Sequence, residues 1–220
     1  MSFTIPKTTL KTTFPFTTHI YSPPGTSLDL YLPVSPSPPH KTLIYFHGGG
    51  LATGTRDAFL PDPICTSLLS SSWAVISADY SLLPQATAAD ILSDLLALEA
   101  WILAHPDINT EHIALGGSSA GGYVASLAAG NWTQVKPRAL LDLFGVVDVT
   151  GEHWAQRKEV APVVFKSPTA DLEEAGFAEL LGSKEILSCH ELTLDQPPKK
   201  GGRASWVLWC IKEGTCPCTD

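Results

Sequence analysis

Four short apolar runs, each closed by a turn and spaced by longer segments, constrain this chain more than any other feature. Thr42-Leu43-Ile44-Tyr45-Phe46, Trp73 to Ala78, His112 to Leu115 and Ala139 to Phe144 are continuous enough to predict strands covered on both faces. Between the second and third runs, Ile91, Leu95, Leu98 and Ile102 recur at i, i+4, i+7 and i+11. That spacing predicts a helix over 86–105, which Pro106 ends. A small-residue helix over Tyr123 to Ala129 follows the third run. Strands alternating with helices predict an α/β fold, a mainly parallel sheet with helices on both faces and right-handed crossovers. Ligands in such sheets bind beyond the C-terminal ends of the strands. Two glycine-rich segments fall there: His47-Gly48-Gly49-Gly50, and Gly116 through Gly122.

The rest of the chain arranges itself around that core. In residues 1–40, Phe14 to Tyr21 and Ser27 to Leu32 alternate apolar and polar side chains about the turn Pro23-Pro24-Gly25, which predicts a hairpin. Residues 41–149 form the core. Periodicity weakens over 150–200, which reads as a cap-like segment with a helix near Asp171 to Leu181. Residues 201–220 are expected to be a truncated end, since Cys216 to Asp220 resemble neither strand nor helix. With 220 residues, 44% of them hydrophobic, one domain suffices. A chain of this length buries about 70% or more of its unfolded surface.

Charge and composition remove several function classes. A formal net charge of −8, with no basic cluster longer than Lys199-Lys200, argues against nucleic-acid binding. No apolar run reaches the roughly 18–20 residues a membrane span needs. Met1 to Lys7 lacks a signal-peptide pattern, so the expected compartment is the cytoplasm. Five cysteines, Cys65, Cys189, Cys210, Cys216 and Cys218, are an odd and scattered set rather than a disulfide framework. The last three have no nearby His, so neither a metal nor any other cofactor is expected. Asn131-Trp132-Thr133 reads as a surface turn rather than a glycosylation site.

Gly117-Ser118-Ser119-Ala120-Gly121 is a G-x-S-x-G pattern with a strand before it and a helix after it. Small neighbours let the serine perch on a sharp turn, where the following helix aims its N–H groups at the same place. The alternative is a helix-capping serine after a flexible turn. His47-Gly48-Gly49-Gly50 adds a loop whose bare N–H groups can face a pocket and stabilise an oxyanion. A phosphate-binding loop is the competing reading, but neither G-x-x-x-x-G-K-[ST] nor G-x-G-x-x-G occurs.

Together these two motifs resemble the hormone-sensitive-lipase branch of the α/β-hydrolase superfamily. Asp79-Tyr80-Ser81-Leu82-Leu83-Pro84 is similar to that branch's D-Y-R-L-A-P segment, with Ser81 in place of Arg, and Phe144-Gly145-Val146-Val147-Asp148 resembles the close of its sixth strand. Trp206 to Trp209 and Glu213-Gly214-Thr215 look like a segment of fungal members. The resemblance implies that Ser119 is the nucleophile and that Gly48, Gly49 and Ala120 donate to the oxyanion, with His47 and Gly50 supporting the loop. It implies a serine hydrolase acting on an ester or thioester of a small apolar acyl group, in a fungal secondary-metabolite setting. It also implies an acid and a His after a seventh and an eighth strand. The strands counted here reach only the sixth, so the chain is expected to be truncated before both. Downstream of Ser119 stand His153 and His190, neither in the family's context for the base, and the acids Asp142, inside a strand, Asp148, which matches a structural position of the family, Asp171 and Asp195. The alternative is therefore an inactive relative that holds a small ligand without turnover. An open sheet edge would favour pairing of two copies.

Overall fold

The structure, a computed structural model, describes residues 7–23, 25–34, 38–146, 148, 156, 173–191 and 199–215. The N-terminal helix α1 (Leu10–Thr13) leads into the hairpin β1 (Phe16–Ser22) and β2 (Thr26–Tyr31). Then come β3 (His40–Phe46), α2 (Asp62–Ser70), β4 (Ala74–Ala78), α3 (Ala88–Ala104), β5 (Ile108–Ser118), α4 (Ala120–Asn131) and β6 (Ala139–Leu143). A 3₁₀ turn (Glu174–Phe177), α5 (Ala178–Gly182) and α6 (Arg203–Glu213) complete the described elements.

Among the described residues one six-stranded sheet runs in the order β1-β2-β4-β3-β5-β6. β1 and β2 are antiparallel, as are β2 and β4, and the remaining pairs are parallel. The sequence expectation of an α/β, mainly parallel sheet is met. Alternation along the central strands divides two cores. Leu28, Leu30, Ile44, Phe46 and Ile76 face α3 and α4, while Tyr31, Leu43, Tyr45 and Val75 face Leu10, Cys65 and Leu69. Because both faces are covered, β3 and β4 read as unbroken apolar runs.

Helix α3 carries two buried carboxylates that would be costly without partners. Asp94 accepts from the N–H of Ser81 at 2.8 Å, and Glu99 accepts from the N–H groups of Gln134 and Val135 at 2.8 and 2.9 Å. The helix begins in a capping box. Thr87 Oγ1 accepts from the N–H of Asp90, and the Asp90 carboxylate accepts from the N–H of Thr87. Thr87→Ala is expected to lower the free energy of unfolding by about 1 kcal/mol. Urea midpoints measure this, with Thr87→Ser as the variant that restores it.

Several boundaries differ from the sequence reading, three of them most. β5 begins at Ile108 because His40 pairs with Ile108, ahead of the apolar run. α4 begins at Ala120, so Gly121 and Gly122 are helical rather than turn residues. The helix expected over 171–181 is, in its described part, the 3₁₀ turn followed by α5. α1, α2 and α6 had no counterpart in the sequence reading. His153, Asp171, Asp195, Cys216 and Cys218 lie outside the described residues. Among the described residues no helix is long and apolar enough to cross a membrane.

Candidate functional site

Ser119 stands alone between the last residue of β5 and the first of α4, at φ 52° and ψ −119°. A non-glycine residue holds such angles only where its surroundings over-determine them. Here they do. The N–H of Ser119 donates to the carbonyl of Leu143 at 3.1 Å, and its own carbonyl accepts from Gly122 and Val146, each at 3.0 Å. The strand-to-helix turn is thereby pinned to the end of β6. A second constraint comes from close approach. A Cβ on Gly121 would lie 2.1 Å from the carbonyl oxygen of Phe46, so only glycine lets the first turn of α4 sit against the end of β3.

The triglycine loop is brought to the same corner. A Cβ on Gly48 would lie 3.4 Å from Ser119 Cβ and 3.3 Å from Ser118 Oγ, which puts the loop backbone against the turn. Gly49 has φ 127°, and a Cβ there would fall 2.1 Å from the carbonyl oxygen of Thr53. The loop closes on itself through that approach: the N–H of Thr53 donates to the Gly49 carbonyl at 3.1 Å and the Thr53 hydroxyl at 2.8 Å. Ala120 is the first residue of α4, so its N–H is among the donors a helix cannot satisfy internally. Ser118, the residue before the candidate nucleophile, is buried.

His47 lies fully buried beneath the glycines. Its ring stacks on Tyr80 at 4.5 Å between centroids, and its Nδ1 is 2.8 Å from the Gly48 carbonyl. Tyr80 in turn donates from its hydroxyl to the His47 carbonyl at 2.9 Å. Burial pushes the His47 imidazole down to about 4, so it is neutral at pH 7. Its Nε2 stands 3.8 Å from Asp79 Oδ1. Burial drives Asp79 up to about 6 against the opposing pull of Arg56, which ion-pairs with it and donates its backbone N–H at 2.7 Å. Arg56 also pairs with Asp29 at 3.1 Å. This buried Asp29–Arg56–Asp79 bridge was not found from the sequence. Asp79 carried a motif signal, whereas nothing local marks Arg56 as its partner.

The downstream candidates fare unevenly. Asp142 is in β6, its Oδ1 within 2.6 Å of where a Cβ on Gly122 would be, and Asp148 is exposed. His190 is half-buried and forms a two-way backbone bridge with Gly54, donating at 2.8 Å and accepting at 2.7 Å. A Cβ on Gly54 would lie 2.3 Å from His47 Nδ1, so this bridge lies on the His47 side of the loop. Among the described residues no His or carboxylate is hydrogen-bonded to Ser119, and no group of three or more His, Cys, Asp or Glu could hold a metal ion.

Strand order, the strained serine at the strand-to-helix turn and the glycine loop facing it define an α/β hydrolase. Solved structures agree on the fold. An α/β hydrolase superfamily protein from Enterococcus faecalis aligns over 93% of this chain and 67% of its own length, with a TM-score of 0.68 and 19% identity. A protein of unknown function from Staphylococcus aureus aligns over 91% of this chain and 66% of its own, with a TM-score of 0.63 and 20% identity. Residues 28–200 match the BD-FAE family model, and the chain belongs to that family. Among curated proteins, Lipase 2 of Moraxella sp. is 37% identical over 91 residues, 40% of this chain and 21% of the relative. An acetyl esterase of Salmonella typhi is 35% identical over 124 residues, 54% of this chain and 34% of the relative. The matched stretch thus spans about a fifth to a third of these relatives.

Proposed function

We propose that this chain is a serine hydrolase that cleaves a carboxylic ester or thioester of a small apolar acyl group. Ser119 Oγ attacks the carbonyl carbon and forms a tetrahedral oxyanion, held by the N–H groups of Gly48, Gly49 and Ala120. Collapse breaks the bond to the alcohol or thiol, which leaves with the proton that the Ser119 hydroxyl gave up. Water then releases the acid and restores the hydroxyl. His47 and Gly50 support the loop and touch no reacting atom. The observation that carries this reading is the placement of Gly48 against Ser119, at a turn where Ser119 has φ 52°. The names of the esterase and lipase relatives support it, and hydrolysing the ester or thioester of a small metabolite is the setting it fits.

The second reading is a pocket that holds a small apolar ligand without turnover. It is favoured by the lack, among the described residues, of a His or carboxylate bonded to Ser119. Incubation with a fluorophosphonate, followed by peptide mass spectrometry, separates the two. An adduct on Ser119, formed with loss of fluoride, supports the hydrolase. A folded chain that takes up no probe supports the binder.

Among the described residues β6 lies at one end of the sheet, and it bears on assembly in either case. Leu140 is 46% and Phe144 82% exposed at that end of the sheet. Pairing of two copies along β6 would cover both side chains, and sedimentation of the purified chain tests it.

A further inference from the structure

α6 does not dangle beyond the core. Its Trp206, Leu208 and Cys210 are buried, Trp209 packs on Phe177 at 5.8 Å between centroids, and Gly214 closes it at φ 72°. Its first residue, Arg203, is only 5% exposed. That guanidinium reaches the carbonyl oxygens of Ala52 at 3.4 Å and Leu82 at 3.5 Å, and also the carbonyl of Leu83 and Oε1 of Gln85. A buried cation held by oxygens from two loops is costly to displace, so it fixes where the helix begins. The two loops are the ones that matter here. Ala52 follows the triglycine turn, and Leu82-Leu83 continues the segment of Asp79 and Tyr80 behind His47.

One turn further on the same face comes Val207. A Cβ on Gly50 would lie 2.7 Å from Val207 Cγ1 and 3.2 Å from Cγ2. The valine therefore leans on the bare backbone of Gly50, two residues from Gly48, where an added Cβ would lie 3.4 Å from Ser119 Cβ. A β-branched side chain has little freedom about χ1, so this contact forms a fixed wall rather than an adjustable one. We infer that Arg203 bolts α6 over the glycine loop and that Val207 is the wall that limits acyl length at the site. This deepens the proposed hydrolase and rests on it for the reaction, though not for the shape of the pocket.

Two measurements test the inference separately from the reaction. The first is kcat/KM for p-nitrophenyl acetate, butanoate, hexanoate and octanoate. Val207→Ala is expected to raise the octanoate-to-acetate ratio by about tenfold or more, as one or two methylenes in an apolar pocket do. Val207→Phe is expected to lower it. The second is calorimetric binding of octanoate and acetate ions, which needs no turnover and is expected to shift the same way. Turnover with the ratio unchanged in both variants overturns the wall and keeps the hydrolase. No turnover, but octanoate binding strengthened by Val207→Ala, overturns the hydrolase and keeps the wall. If neither measurement moves while near-ultraviolet circular dichroism shows intact packing, the wall is overturned.

Discussion

Replacing Ser119 by glycine is expected to make the chain more stable and chemically inert in one step. The serine sits at φ 52° and ψ −119°, where a side chain costs about 1–3 kcal/mol and glycine pays no steric penalty. Glycine loses about 0.5–1 kcal/mol more backbone entropy on folding, so a net gain of about 1 kcal/mol should remain. The three backbone hydrogen bonds that hold the turn involve no side-chain atom and survive the change. Ester hydrolysis should meanwhile fall by at least about 10³-fold, the scale of losing the attacking hydroxyl. Ser119→Ala separates the two effects. It keeps a Cβ at the same strained angles, so it should lose the same activity and gain no stability. Urea midpoints and p-nitrophenyl acetate turnover on all three proteins read both effects. A glycine variant less stable than wild type would mean the turn carries no strain. Undiminished turnover in both variants would remove Ser119 from the chemistry.

How much of this was readable from the chain alone follows from the range of the forces involved. β3 and β4 are covered on both faces, and burial writes itself into the sequence as unbroken apolar runs. The glycine loop and the serine turn were legible because close backbone approach admits few residue types. Gly49 against Thr53 and Gly121 against Phe46 are such places. Gly121 also misled. Two adjacent glycines read as turn, yet they lie within α4 because that helix must touch the sheet there. α2 hid behind Pro63, which fits a first helical turn although it stops a helix elsewhere. The support of the site was silent. Arg56 meets Asp79 across 23 residues and Arg203 meets Leu83 across 120, and an ion or carbonyl contact at such range leaves no local period. Half of the site is thus motif, and the other half is tertiary packing that no motif marks.

The buried pair beneath the loop gives the chain an acid response that should surface only when one partner is removed. His47 has its imidazole pushed from 6.5 to about 4, so below pH 6.5 the unfolded chain takes up a proton that the folded chain refuses. Stability is lost as pH falls through that interval, by about 3 kcal/mol in full. Asp79 is moved the other way, from 3.8 to about 6, so between those values the folded chain holds a proton that the unfolded chain has released. That group adds stability as pH falls, again by about 3 kcal/mol. Between pH 6 and 4 the two contributions nearly cancel, and this pair should leave wild type almost flat there. Asp79→Asn removes the compensation. Relative to wild type it should become less stable by about 3 kcal/mol on going from pH 7 to pH 4. His47→Gln should change in the opposite sense, growing more stable relative to wild type over the same interval. Both variants start lower at pH 7, since each disturbs contacts with Arg56 or Tyr80, so the slope against wild type is the quantity to compare. Other titrating groups, His105 and His190 among them, are common to all three proteins and drop out of that difference. Denaturant titrations at half-unit pH steps give the slopes. Parallel curves for the three proteins would mean that His47 and Asp79 do not exchange the burden of the buried proton.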